Sequence, residues 1–320
     1  ITLLVATLLT STADADVPRV VTDFGPVQSL VQQVMGGLGT PVVLLQAGSD
    51  PHDFQLKPSQ AKALADAELI IWVGPELMPP LGDAIDALAG NGKAVALLHD
   101  GGGKVRSYAG EEGIDPHAWL DPANGRVWLG AIAAELSRLD PENAAAYAAN
   151  AAEGQAELTA LEAELTKLLA PMAETEFVVF HDAYQYFEKR YKVRVAGSVT
   201  VSPETMPGAE RVSEIHGKVK ELQAVCVFAE PQFESRLVDV VIEGTGARAG
   251  VLDITAISKA DPILSGEGNP LAIRLNSSNS QDGAVIANYI ATVAKAKRVA
   301  FLTENDAYGN GAQASIEAEL

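Results

Sequence analysis

Glu176-Phe177-Val178-Val179-Phe180-His181-Asp182-Ala183-Tyr184 is the stretch whose reading decides the fold. Phe177 to Phe180 are apolar, β-branched or aromatic, the pattern of a strand buried on both faces. A histidine stands where that strand ends, followed at once by a carboxylate and an aromatic. Open α/β sheets bind ligands in the crevice beyond the carboxyl ends of their strands. Two further histidines occupy short turns upstream: His52 in Asp50-Pro51-His52-Asp53-Phe54 and His117 in Asp115-Pro116-His117-Ala118-Trp119. Neutral imidazole is the commonest nitrogen ligand of zinc, and a tetrahedral site can be assembled from distant turns without a local motif. A lone histidine is more often a surface or satisfied core residue. These three share a setting: each leaves a strand or precedes a helix, with Asp or Pro beside it. His99, beside a loop, and His216, inside a helical pattern, lack that setting. The sequence therefore predicts one metal ion held by His52, His117 and His181 at about 2.0–2.1 Å. Three nitrogen donors favour zinc over manganese, whose sites are richer in carboxylate. Affinity is expected to fall on acidification, as protons compete for rings of unperturbed pKa about 6.5.

Working outward, strands alternate with helices on both sides of this stretch, which indicates parallel sheets covered by helices. Upstream, strands are expected over Arg19–Phe24, Pro41–Gln46, Glu68–Gly74 and Ala94–Leu98. Helices are expected over Val27–Met35 and from Ser59, as N-cap, to Ala67. His99 to Gly113 reads as a structureless charged loop, and Asp121-Pro122 then opens a helix through Leu139. From Pro141 to Leu169 runs one long helical pattern with Leu158, Leu161, Leu165 and Leu168 on one face. Downstream, strands are expected at 176–180, 193–199, 224–228 and 248–253, with helices near 209–222 and 235–243. The fold class is α/β: two lobes with parallel sheets joined by one long backbone helix, metal in the inter-lobe cleft, and an extra β-α-β tail. The divisions are a signal peptide over 1–15, an N-terminal lobe over 16–140, a linking helix over 141–172, a C-terminal lobe over 173–257 and an atypical tail over 258–320.

The chain has 320 residues, 48% of them hydrophobic, enough for two ordinary domains with substantial cores. Its formal net charge is -19, which repels nucleic acid phosphates and anionic lipid and excludes nucleic acid as a partner. The apolar run Ile1–Thr10, followed by Ala13-Asp14-Ala15, has the length and small-x-small ending of a secretory h-region and its cleavage site. It is too short to span a bilayer. Export places the single cysteine, Cys226, in an oxidising compartment, where a lone thiol prompts a search for a partner. Its neighbours Val225 and Val227 equally suit a small buried hydrophobe on a strand.

Five segments in order carry a family resemblance: Ser49–Phe54, Ile71–Glu76 (Ile-Trp-Val-Gly-Pro-Glu), Asp115–Leu120, Val179–Tyr184 and Val227–Phe233 (Val-Phe-Ala-Glu-Pro-Gln-Phe). Over roughly residues 18–257 the chain resembles the zinc-specific substrate-binding proteins of bacterial ABC importers. The resemblance implies a periplasmic, monomeric receptor, not an enzyme, that holds Zn2+ between two lobes and delivers it to an ABC transporter membrane permease. It maps the ligands onto His52, His117 and His181, with Asp253 as the fourth in some members. Many members carry a histidine-rich acidic loop; here Asp100–Ile114 keeps Glu111 and Glu112 but no histidine, so collection of metal by that loop is not expected. Family members often pair a cysteine at the Cys226 position with one near the C-terminus, which this chain lacks. Beyond Ile257 the segments Ser258–Leu264, Ile273–Gln281 and Arg298–Gly309 are similar instead to branched-chain amino-acid-binding proteins. That implies a replaced terminal segment with a junction near 257. The competing functions are a receptor for another divalent metal such as manganese, a zinc hydrolase, and an amino-acid receptor through the tail. A hydrolase would need Asp182, Glu230 or Asp253 as general base, and no H-E-x-x-H pattern supports one.

Overall fold

The computed structural model describes residues 17–252 apart from 47–48, 91, 109–112, 174, 201–206, 231–232 and 234–235. Two parallel four-stranded sheets organise it. The first contains β1 (Val20–Thr22), β2 (Val42–Val43), β3 (Leu69–Trp72) and β4 (Lys93–Ala96), in the order β2-β1-β3-β4. All of β3 is buried, and since successive side chains face opposite ways, both sheet faces are covered. Helix α1 (Gly25–Met35) buries Val27, Val31, Val34 and Met35, one stripe at helical spacing. Helices α2 (Pro58–Asp66), α3 (Pro79–Leu88) and the single turn α4 (Leu97–Asp100) complete the crossovers.

The linking segment comes next. After the two-stranded antiparallel ribbon β5 (Arg106–Ser107) and β6 (Ile114–Asp115), a 3-10 turn at Ala118–Leu120 leads into α5 (Pro122–Leu139). Asp121 caps α5 by accepting from Ala123 N at 3.0 Å, with Pro122 in the first turn, where a missing N–H costs nothing. The 26-residue α6 (Ala144–Leu169) packs along α5 and α1. A Cβ on Gly154 would meet Gln33 Cγ at 2.8 Å and Leu129 Cδ1 at 3.0 Å, so the missing side chain is what lets α6 approach both.

The second sheet contains β7 (Glu176–His181), β8 (Arg194–Thr200), β9 (Cys226–Ala229) and β10 (Arg248–Val251), all parallel, in the order β10-β9-β7-β8. Its helices are α7 (Gln185–Tyr191), α8 (Ala209–Leu222) and α9 (Arg236–Ile242). Counted by chain position, both sheets follow the same 2-1-3-4 order, with the crossover direction reversing beside the first strand. Strand β7 alternates between two apolar clusters. Phe177 and Val179 join the large core that continues through α5, α6 and the first sheet, whereas Val178 and Phe180 join a smaller one with Val199, Ile215, Val219 and Val241. The apolar core thus crosses from one lobe to the other.

Several expectations need correcting. Helix α2 starts at Pro58 with Lys57 as N-cap, not Ser59: Lys57 N donates to Gln60 Oε1 at 2.6 Å, which fixes the entry two residues earlier. The loop at 99–113 is not structureless, because α4 and the β5–β6 ribbon lie in it. Strand β2 is two residues long instead of six; Leu44 and Leu45 leave the ladder while still bonding Thr22 O and Asp23 O. Leu158, Leu161 and Leu165 face the core as expected, but Leu168 is 62% exposed and Leu169 takes its place, in a stripe that also includes Tyr147, Ala151 and Gly154. The signal peptide, the acidic pair Glu111 and Glu112, and the β-α-β tail lie outside the described residues. Among the described residues, no helix is long and apolar enough to cross a membrane.

Candidate metal centre

Two turns with the same sequence logic present the first two imidazoles. In each Asp-Pro-His triplet the aspartate turns back on the chain: Asp50 Oδ1 accepts from His52 N at 2.9 Å, and Asp115 Oδ1 accepts from His117 N at 3.0 Å. The proline between them fixes one φ of the turn. The loop that carries His52 is closed at both ends by one side chain. Gln60 Oε1 accepts from Lys57 N, and Gln60 Nε2 donates to Leu44 O at 2.5 Å. His117 is held from below by buried Trp119, which meets Phe24 edge-on at 4.9 Å between centroids. His181 is the last residue of β7, paired with Thr200 of β8. A strand end is a rigid mount, and the crevice beyond it is where this architecture binds ligands.

The three rings converge. His117 Nε2 lies 3.3 Å from His52 Nε2 and 3.3 Å from His181 Nε2, and one ligand atom from each residue falls within 4.8 Å of the others. In a tetrahedron the ligand–ligand edge is roughly 1.6 times the bond length, so zinc–nitrogen bonds of about 2.0–2.1 Å require nitrogens about 3.3–3.4 Å apart. Two of the three edges therefore already have the length a tetrahedral ion needs. His117 and His181 are each 1% exposed, and His52 is half-buried.

Carboxylates on the far side of the rings decide which nitrogen faces the ion. His117 Nδ1 lies 2.8 Å from Asp115 Oδ1, and His181 Nδ1 lies 2.7 Å from Glu230 Oε1, both pairs almost fully buried. A proton on Nδ1 is held by the carboxylate, which leaves the Nε2 lone pair free for a metal. Burial pushes the His52 pKa down to about 3, helped by its two neighbouring rings, and pushes His117 well below its ordinary value, with His181 adding to it. Both rings are neutral, metal-ready bases through the mildly acidic range. The expected loss of affinity near pH 6.5 thus moves to lower pH for this pair. Burial raises Asp115 to about 6 against the opposing pull of His117 N–H, and raises Asp50 as well.

Residues 20–263 match the family described as zinc-uptake complex component A, periplasmic (ZnuA). The chain belongs to the ZnuA family. It is 45% identical over 272 residues to the high-affinity zinc uptake system protein ZnuA of Paracoccus denitrificans, covering 74% of this chain and 83% of that one. It is 41% identical over 276 residues to the ZnuA of Brucella abortus, covering 73% and 83%. A crystal structure of a ZnuA deletion mutant with zinc bound is similar at a TM-score of 0.68 and 29% identity, covering 75% of this chain and 91% of that one. Fold and family are as the sequence motifs implied: a periplasmic component of a zinc-uptake complex with two α/β lobes and a long helix between them.

Of the site residues expected from sequence, the structure brings His52, His117 and His181 together, and Asp253 lies outside the described residues. His99 and His216 are elsewhere: His99 Nε2 lies 2.9 Å from Glu76 Oε1, and His216 Nδ1 donates to Val241 O at 3.0 Å. What sequence reasoning missed is the role of Asp115 and Glu230 as partners of the rings. The signal for Asp115 was in its own triplet, since an aspartate two residues before a histidine can reach both its N–H and its ring. Glu230 carried a fainter one, a carboxylate directly after an apolar strand in a lobe whose first strand ends in histidine.

Proposed function

We propose that this protein captures Zn2+ with the Nε2 atoms of His52, His117 and His181 and delivers it to the membrane permease of an ABC importer. The observation that carries this reading is the pair of 3.3 Å edges among three imidazoles, two of which have their other nitrogen tied to a carboxylate. Three neutral nitrogens match zinc in softness and geometry better than manganese. Asp253 is the proposed fourth ligand. In support, β10 runs parallel to β9, and Leu252 N donates to Ala229 O at 2.9 Å, one residue before the Glu230 that holds His181. Capture is favoured over hydrolysis because Asp115 and Glu230, the carboxylates bound to the rings of His117 and His181, sit on the Nδ1 side, away from the Nε2 atoms where a metal-bound water would need its base. Isothermal titration of the full chain with Zn2+, Mn2+ and leucine tests the reading. One zinc per chain is expected, bound more tightly than manganese, with no heat from leucine. Replacing His52, His117 or His181 by alanine should each cut zinc affinity steeply, and Asp253→Ala should do so more mildly. Tighter binding of manganese, or undiminished zinc binding by His117→Ala, would overturn it.

A further inference from the structure

Helix α7 begins four residues after His181, and its side chains bond to the first lobe. Tyr186 and Arg190 lie one turn apart on the same helical face. Tyr186 Oη accepts from Arg106 N at 2.8 Å and donates to Asp115 O at 3.0 Å. Gln185 Nε2 donates to Ser107 O at 2.9 Å. One turn on, Arg190 grips Asp121 with two nitrogens, Nε to Oδ1 at 2.7 Å and Nη2 to Oδ2 at 2.8 Å, and reaches Glu162 Oε1 with Nη1 at 3.1 Å. The other oxygen of Glu162 accepts from Arg126 Nη1 at 2.5 Å. Asp121 caps α5 four residues after His117, and Glu162 belongs to α6. One guanidinium therefore joins the helix after His181, the helix after His117 and the helix that links the lobes.

An exposed ion pair would contribute little and could be ignored. This one differs on two counts. The Asp121 side chain is 3% exposed, and the contact is the forked, two-bond kind that only arginine makes and that fixes orientation as well as distance. A metal site also tolerates displacement of its ligands by only about 0.5 Å. His117 and His181 come from different lobes, so something must hold those lobes in register to that tolerance.

We propose that Arg190 is a positioning residue for metal capture: by clamping α7 to Asp121 and Glu162 it sets the spacing of His181 from His117 before the ion arrives. The proposal rests on the reading of His52, His117 and His181 as zinc ligands. The test uses the full chain as wild type, Arg190→Met, Arg190→Lys and His117→Ala. Zinc affinity is measured by competition with a chelator, and coordination geometry by the visible absorption of the Co2+-loaded protein. Arg190→Met should bind zinc about tenfold more weakly, the lower end of what loss of an outer support costs a metal site. Its cobalt spectrum should lose the intense bands of tetrahedral coordination. Arg190→Lys should recover part of both, because a single ammonium cannot grip Asp121 through two bonds. A purely structural Arg190 would lower the unfolding temperature yet leave zinc affinity and the cobalt spectrum as in wild type, and that result overturns the proposal. If Arg190→Met does not fold, Arg190→Lys carries the test, with wild-type affinity and spectrum again overturning it. Zinc binding retained by His117→Ala would instead sink the ligand assignment, separating the two failures.

Discussion

Glu230 offers the sharpest test of how the site is built, because it touches the ion only through His181. Its side chain is 0% exposed and that of His181 2%, so the 2.7 Å contact has no solvent to replace it. Two substitutions separate charge from hydrogen bonding. Glu230→Gln keeps an oxygen that can accept the Nδ1 proton but removes the negative charge that strengthens Nε2 as a donor. Loss of such a partner costs a metal site about 10- to 100-fold in affinity. With acceptor and volume retained, the lower end applies: about tenfold, or about 1.4 kcal/mol. Glu230→Ala also leaves the buried Nδ1–H without an acceptor and opens a void. An unsatisfied buried donor costs about 1–3 kcal/mol, which moves the expected loss toward 100-fold, or about 2.7 kcal/mol. Chelator competition at pH 7 resolves a difference of that size. If Glu230→Gln binds zinc as tightly as wild type, or if alanine does no more harm than glutamine, Glu230 does not support His181 in the way described.

Three further outcomes follow from the same geometry. In the apo-protein, the ring resonances of His52 and His117 should stay those of neutral imidazole from pH 8 down to pH 5, since burial holds both pKa values far below 6.5; an NMR midpoint near 6.5 for either contradicts this. The sign for stability follows: below about pH 6.5 the unfolded chain takes up protons that these folded rings refuse, so both weaken the apo fold progressively on acidification. Asp121→Ala removes a helix cap and strands Arg190, and should cost about 2–3 kcal/mol, lowering Tm by about 5–10 °C in a calorimetric scan; an unchanged Tm would show the clamp to be slack. Gly101→Ala would press a Cβ against Leu97 O at 2.5 Å and the buried Trp128 ring at 2.6 Å, so a loss of about 1–3 kcal/mol is expected in denaturant unfolding.

Where the sequence carried a local physical signal, the elements came out close to their true bounds. Asp121-Pro122 marked the start of α5, and the apolar run at 177–180 marked β7, because cap chemistry and two-faced burial both act within a few residues. Helix α3 escaped notice since Pro79-Pro80 opens it, and paired prolines read as a break although a first turn accepts them. The shortening of β2 was not legible either. Its residues are apolar enough for a longer strand, and only the need to launch the His52 loop ends it. The three histidines were visible through their shared turn chemistry. Their convergence on one ion was expected from that shared setting, but the distances between the rings were not, because they depend on how two lobes are packed, a relation that no local window contains. The role of Glu230 was hidden for the same reason, its ring partner lying 49 residues away, whereas that of Asp115 was local and was missed although its own Asp-Pro-His triplet held the signal.

The 26 residues of α6 have a thermodynamic consequence for capture. At about 1.5 Å per residue this is a rod of about 39 Å, continuous through its interior and packed along α5 for much of its length. A rod fused to the core of both lobes leaves little apolar surface to be exposed when the ion departs or buried when it arrives. Heat capacity records that surface change. Zinc binding to this chain should therefore show a heat-capacity change near zero, unlike receptors that clamp shut around a cargo. Calorimetry at several temperatures would then find a binding enthalpy that hardly drifts, set almost wholly by the metal–imidazole bonds and the water the ion sheds.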